Sequence, residues 1–331
     1  MKSTIFFKNK PSLIATSTVA GPKEGEGELG KFIENVSYDD TFGEETYEKA
    51  ECKIITLAIE NAMKNAKLDE KDINAIISGD LLNQIISSSF SARKFNVPYL
   101  GVYNACSTMT EALAIGSSLV DGGYFTNVIA ATGSHFATAE RQYRYPLELG
   151  AVRPPQAQWT VTGSGAVILS DIGSDLCVKA ITTGKMVDLG VTDANNMGAA
   201  MAPAAADCIY AHFEDTGRKC DYYDAVITGD LGDVGSELLL EILNRQGMDI
   251  AKVHRDCGSM IFDNENQGTN AGGSGCGCSA SVLCGYFLKE MARGALNKIL
   301  LVCTGALMSP TTVQLGEDIV GIAHAVAIER K

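Results

Sequence analysis

Helices that alternate with short apolar strands, together with two stretches of the 331-residue chain that repeat each other in order, predict a layered α/β protein built from two duplicated halves. Residues 59–80 (IENAMKNAKLDEKDINAIISGD) line up without a gap with residues 209–230 (IYAHFEDTGRKCDYYDAVITGD) at an offset of 150. Ala75, Ile77, Gly79, Asp80 and Leu81 then meet identical residues at Ala225, Ile227, Gly229, Asp230 and Leu231. At an offset of 172, residues 105–113 (ACSTMTEAL) face 277–285 (GCSASVLCG), and VIAATG at 128–133 faces LLVCTG at 300–305. The difference places an insertion of 22 residues in the second half, within about 250–275. Chance likeness between any two strand and helix units is the alternative, and two ungapped blocks in one order argue against it. The unit is too long for a solenoid repeat, and its strands are apolar throughout, as in sheets covered on both faces. The halves divide at 1–171 and 172–331.

Taken in order, LIATSTVA at 13–20 reads as a strand, and the Gly- and acid-rich residues 21–45 read as an exposed loop. Ile54, Ile55, Ala58, Ala62 and Met63 recur at helical spacing, the polar KLDEKD ends that helix, and AIISGD at 75–80 is a short strand. A further strand ends near Asn104. After Cys106, the residues Met109, Ala112, Leu113, Gly116, Leu119 and Val120 mark one face of a helix, with Thr108 and Glu111 spaced as a capping box. GIAHAVAIER closes the chain as a strand.

Composition narrows the function. At 46% hydrophobic residues the chain can bury a large core, which excludes disorder for most of it. A formal charge of −13, from 27 Lys+Arg against 40 Asp+Glu, lacks the field that draws nucleic acid or anionic lipid, so no nucleic-acid partner is expected. Ten Cys spread along a long, apolar-cored chain argue against a disulfide framework and for a reducing compartment. The apolar piece near the N-terminus is too short for a signal-peptide core, and no apolar run reaches the length of a membrane span. A soluble protein, at most peripheral to a membrane through partners, is expected.

Cys106 carries the chemistry. A thiol at a strand-to-helix turn lies at the positive end of the helix dipole, which favours thiolate and suits a covalent catalyst; a buried structural cysteine is the other reading. The Ala-Cys-Ser turn, the duplicated halves and the closing strand together resemble the thiolase fold of condensing enzymes across essentially the whole chain. Within that fold, NACSTMTEAL, ATGSHFATAERQYRYPLE, RPPQAQWTVTGSGAV and TGALMSPTTVQLGEDIVGIAHAV are similar to the stage V sporulation AD family. The resemblance implies a thiolase-like five-layer αβαβα fold and a homodimer. It also implies a role in loading pyridine-2,6-dicarboxylic acid (dipicolinic acid), with which calcium travels, into the developing spore. Other proteins of the stage V sporulation A operon would be its company at the forespore inner membrane. No cofactor and no resident metal are implied.

Condensing enzymes of this fold need a basic or oxyanion-stabilising partner for the thiolate, normally a His after the strand that here reads DAVITGDLG and a second His or Asn in the later Gly-rich turn. Residues 225–235 contain no His: Thr228, within a residue or two, takes the first position, and the second falls near Cys276. Glu317 and Asp318 stand where degradative thiolases have a second cysteine. Each missing oxyanion donor removes about 3 kcal/mol of transition-state stabilisation. The expectation is a retired active site used to bind dipicolinic acid, with Cys106 as a vestigial nucleophile; the rival is a 3-oxoacyl-synthase-type acyltransferase that uses Cys106. His135 follows the strand beside Cys106 and could face a ligand carboxylate or be satisfied by backbone. Arg141, Arg144 and Arg153, with Tyr143, Tyr145 and Trp159, could clamp a flat dianion, or pair with Glu140, Glu148 or a dimer partner. His212 reads as surface or interface and His324 as core. His254, Cys257, Cys276 and Cys278 are spaced too irregularly for zinc.

Overall fold

A computed structural model describes residues 2–9, 11–143 and 152–331. The strands are β1 (Thr4–Phe6), β2 (Ser12–Ala20), β3 (Asn35–Val36), β4 (Ala75–Gly79), β5 (Tyr99–Gly101), β6 (Asn127–Ser134), β7 (Trp159–Thr160), β8 (Gly163–Ser170), β9 (Leu176–Thr183), β10 (Ala225–Thr228), β11 (His254–Asp256), β12 (Gly273–Ser274), β13 (Lys298–Leu307) and β14 (Val320–Arg330). The helices are α1 (Pro22–Gly25), α2 (Tyr47–Ala66), α3 (Ile86–Ala92), α4 (Thr108–Asp121), α5 (Phe136–Tyr143), α6 (Met197–Thr216), α7 (Gly232–Arg245), α8 (Cys257–Ile261), α9 (Cys276–Val282), α10 (Leu288–Ala292) and α11 (Pro310–Gln314). None of the described helices is long and apolar enough to cross a membrane.

The duplication is visible at the ends of its first helix. Asn196 Oδ1 accepts from Ala199 N at 3.3 Å to start α6, as Thr46 Oγ1 accepts from Lys49 N at 3.3 Å to start α2. Both helices close on a left-handed residue, Lys67 at φ 57° and Gly217 at φ 64°.

Two mirror-related strand runs follow from the repeat, β2-β8-β6-β4-β5 and β9-β14-β13-β10-β11, and they join where Ser12 pairs with Cys177. Helix α2 covers the outer face of the first run with Ile54, Ile55, Ala58 and Ile59, against Ile76 and Ile129. Helices α6 and α7 cover the second with Met201, Ile209 and Leu239, against Val226 and Leu300. Between the sheets lie α4 and α9, whose Met109, Leu113, Ala280 and Val282 share one core with Ile77, Val167, Ile227 and Leu301. The order is helix, sheet, helix, sheet, helix, the thiolase-like arrangement expected. Close approach in the middle layer depends on glycine: a Cβ on Gly165 of β8 would lie 2.4 Å from the Ala280 carbonyl oxygen of α9.

Strand register amends the repeat. Ala75 pairs with Val128, and its equivalent Ala225 pairs with Ile299, an offset of 171 from Val128. An even offset would have turned that strand over, since one residue exchanges its faces. Val128 and Ile299 both point into the middle layer, and Ile129 and Leu300 both point outward. Residues 21–45 are also less loop-like than their composition suggests. They contain α1 and β3, and Glu24 is buried, accepting Thr162 N at 2.9 Å.

Candidate functional site

Strand β5 runs out at Gly101, and the chain turns through Ala105, at φ 49°, into a single 3-10 turn over Ala105–Ser107 before α4 begins. A left-handed alanine is strained by about 1 kcal/mol, and here it aims the next residue, Cys106, at a narrow cavity with about 20 Å3 of room, enough for a water molecule. That is far below the ~300–1,000 Å3 of open ligand pockets, so a ligand larger than water enters only where the walls part. The expected capping box is not formed: Thr108 Oγ1 instead donates to Ala105 O at 2.6 Å and accepts from Asn104 N at 3.2 Å, bracing the turn.

The described walls are Leu81, Ala105, Cys106, Ala139 and Tyr143 from the first half, Thr160 of β7, and Met197, Ser274, Ala306 and Met308 from the second half. They are aliphatic, thioether, thiol, phenol and hydroxyl groups, with no Lys, Arg or His among these described residues. Tyr103 and Tyr143 touch through their hydroxyls at 2.8 Å, and Tyr143 donates to the Leu81 carbonyl.

Asp230 adds to what burial does to the thiol. It is the last residue of the 150-offset repeat, fully buried behind Cys106, and it accepts Gly275 N at 2.7 Å and Ser274 Oγ at 3.2 Å. The same carboxylate is close enough to the Cys106 thiol for the two to influence each other's ionisation. Burial first, and then Asp230, push the thiol well above its usual range, against a weaker pull from the Gly275 N–H. Of the two readings of Cys106, this favours the buried cysteine kept as a thiol, because desolvation and a neighbouring carboxylate act against a partial charge at one helix end. Burial likewise raises Asp230 to about 7, with Cys106, Gly275 and Ser274 opposing it. Its repeat, Asp80, is used differently: both oxygens are taken by Leu82 N at 2.7 Å, Ser88 N at 2.7 Å and Ser88 Oγ at 2.8 Å.

The family model for stage V sporulation protein AD matches residues 1–329. The stage V sporulation protein AD of Bacillus subtilis (strain 168) is 44% identical over 330 residues, covering 99% of this chain and 97% of that one. The chain belongs to the stage V sporulation protein AD family. Solved condensing-enzyme structures share the fold of this AD-family chain. 3-Oxoacyl-[acyl-carrier-protein] synthase III from Aquifex aeolicus VF5 matches with a TM-score of 0.59 at 15% identity, covering 96% of this chain and 99% of that one. Cerulenin-bound OleA from Xanthomonas campestris matches with 0.63 at 14% identity, covering 98% of each chain.

In this AD-family member the other sequence-derived candidates are dispersed. His135 is buried with both ring nitrogens on the backbone: Nε2 contacts Asp40 O at 2.7 Å and Nδ1 accepts Ala137 N at 3.1 Å. Arg141 pairs with Glu48 on the surface. Arg153 pairs with the buried Glu140 at 3.1 Å, donates to Gln158 O, and lies over Trp159 at 5.3 Å. Trp159 in turn stacks on Phe136 at 3.8 Å. This Arg153 group reaches the cavity indirectly, since Thr160 Oγ1 donates to Glu140 at 3.1 Å. Arg144, with Tyr145 and Glu148, lies outside the described residues.

Cys276, rather than the sequence mirror Cys278, packs with Cys106, Leu81 and Ala139. Thr228, the nearest match to the missing His, holds His254 at 2.9 Å and Asp256 at 2.6 Å away from the cavity. His212 is buried rather than superficial, between Thr182 at 2.7 Å and Tyr223 at 2.7 Å. His324 supports the elbow through the Asn104 side-chain amide at 3.2 Å.

Proposed function

We propose that this AD-family protein binds dipicolinic acid in the Cys106 cavity, without catalysing a reaction on it, for uptake into the developing spore. The observation that carries the reading is the Cys106–Asp230 pair. Burial, and behind it the Asp230 carboxylate, push the thiol up and away from the thiolate that condensation needs. Described walls without a cation favour the calcium chelate, in which the ligand's dianion is already neutralised, over the free dianion. Calcium is then cargo, coordinated by the ligand's own carboxylates and water. Calorimetric titration with calcium dipicolinate should give saturable heat near one equivalent, stronger than with pyridine-2,6-dicarboxylic acid alone; no saturable heat at millimolar ligand would sink the proposal.

The retained left-handed elbow at Ala105 favours one other reading, acyl transfer through Cys106. Intact-mass measurement after incubation with acyl thioesters separates the two. A stoichiometric adduct that disappears in Cys106→Ser belongs to the enzyme.

Self-association fits the same reading. Strand β5 ends the sheet among the described residues, and Ile86, Phe90, Leu100 and Tyr103 beside it are exposed. The opposite edge, β11, carries exposed Arg255 after Lys252, the usual guard of a free edge. A second copy seated on β5 would cover the apolar edge. Attachment to the forespore inner membrane through operon partners belongs to the same proposal.

A further inference from the structure

Two loops frame the second-half side of the cavity. Residues 184–196 lead from β9 into α6, whose first residue Met197 is a cavity wall; residues 308–319 start at the wall residue Met308 and lead through α11 to β14. The first loop is tied to the end of the second and to the start of β14: Ile319 N donates to Val191 O at 2.7 Å, and Val187 and Gly321 exchange two backbone hydrogen bonds of 2.8 Å. Each turns at a Leu-Gly pair, Leu189–Gly190 and Leu315–Gly316, with the glycines at φ 75° and 73° and open space around both. The leucines are 69% and 72% exposed, and Met186 is 56% exposed.

Scattered surface leucines need no explanation. Here, however, two apolar tips recur on paired loops whose ends wall one cavity, and their charge is one-sided. Asp188, Asp193, Glu317 and Asp318 are exposed on these loops. Lys185, the single cation of the two segments, is drawn away to Asp207 at 2.9 Å. Four carboxylates around the leucines would be repelled by an anionic bilayer surface, and they complement a basic one.

We infer that the 184–196 and 308–319 loops form a docking surface for a partner protein that presents an apolar groove rimmed by Lys and Arg, with Leu189 and Leu315 as the anchors. Because the loops end at Met197 and Met308, a partner seated there sits beside the cavity mouth. This surface stands or falls independently of what the cavity binds.

The test uses the full chain and a labelled amphipathic peptide with leucine on one face and lysine on the other, read by fluorescence anisotropy. Leu189→Ser/Leu315→Ser should weaken binding at least tenfold with an unchanged melting temperature, and Glu317→Gln/Asp318→Asn should weaken it and flatten its salt dependence. The inference is overturned if the leucine variant binds as the unaltered protein does, or if the unaltered protein does not bind the peptide. Leucine-dependent co-sedimentation with phosphatidylglycerol vesicles would also overturn it, by making a bilayer the occupant.

Discussion

Replacing Asp230 by Asn should make Cys106 react with iodoacetamide at pH 8 at least threefold faster, because one of the influences that raise the thiol pKa disappears while burial stays. Peptide mapping of the alkylated protein checks this, and an unchanged Cys106 rate would show that burial alone silences the thiol. In sequence, Asp230 was visible only as the repeat of Asp80. Its role was hidden because a repeat reports equivalent backbone positions, not which donors surround the carboxylate. For the described arginines the structure takes the second of the two sequence readings, pairing with a carboxylate. Closeness in sequence suggested one clamp, yet Arg141 and Arg153 each went to a nearby carboxylate, Glu48 and Glu140. A buried carboxylate such as Glu140 is costly without a partner, so it captures the nearest cation before any ligand can.

Elements were most legible where the chain repeats itself. The spacing around Ile54 foretold α2, and the copy of that helix 150 residues later has matching ends. Elements of two to four residues were not legible, since α1 and β3 are too short to show a period. The capping box failed because a 3-10 turn precedes α4, and Thr108 was needed to brace the elbow. The packing of α9 on β8 lies beyond sequence pattern altogether, and it makes Gly165 sensitive. Gly165→Ala should destabilise the protein by about 2 kcal/mol or more, because its methyl group would meet the backbone of α9 rather than a yielding side chain. A lower urea midpoint at unchanged slope is the expected result; an unshifted midpoint would mean that α9 can move away freely.

For the whole molecule, buried acids set the response to pH. Burial raises Glu24 and Asp230 to about 7 and Asp256 to about 6, and it raises Glu51 and Asp80 as well. The folded state holds protons that the unfolded chain releases, so stability increases as pH falls through these values toward the ordinary carboxylate range, on the order of 3 kcal/mol for each of Glu24, Asp230 and Asp256. His212 and His254, lowered to about 4, act in the opposite sense: their contribution is complete above the ordinary His value and is lost as pH falls through 4. The melting temperature should therefore rise as pH falls from 8 through 6, and rise less steeply below the ordinary His value, where protonation of His212 and His254 in the unfolded chain opposes it. Scanning calorimetry across that range tests it, and a higher melting temperature at pH 8 than at pH 6 would contradict the assignment. Association through β5 predicts a sedimenting species of twice 35.1 kDa that Leu100→Lys reduces to one copy; a single-copy mass for the unaltered protein would remove that edge from consideration. The buried acids have one more consequence. A carboxyl group that keeps its proton at neutrality contributes nothing to electrophoretic mobility, so the folded protein migrates as a less negative particle than its −13 formal charge implies. Unfolding it at pH 7 releases those protons and should speed its movement toward the anode per unit of friction.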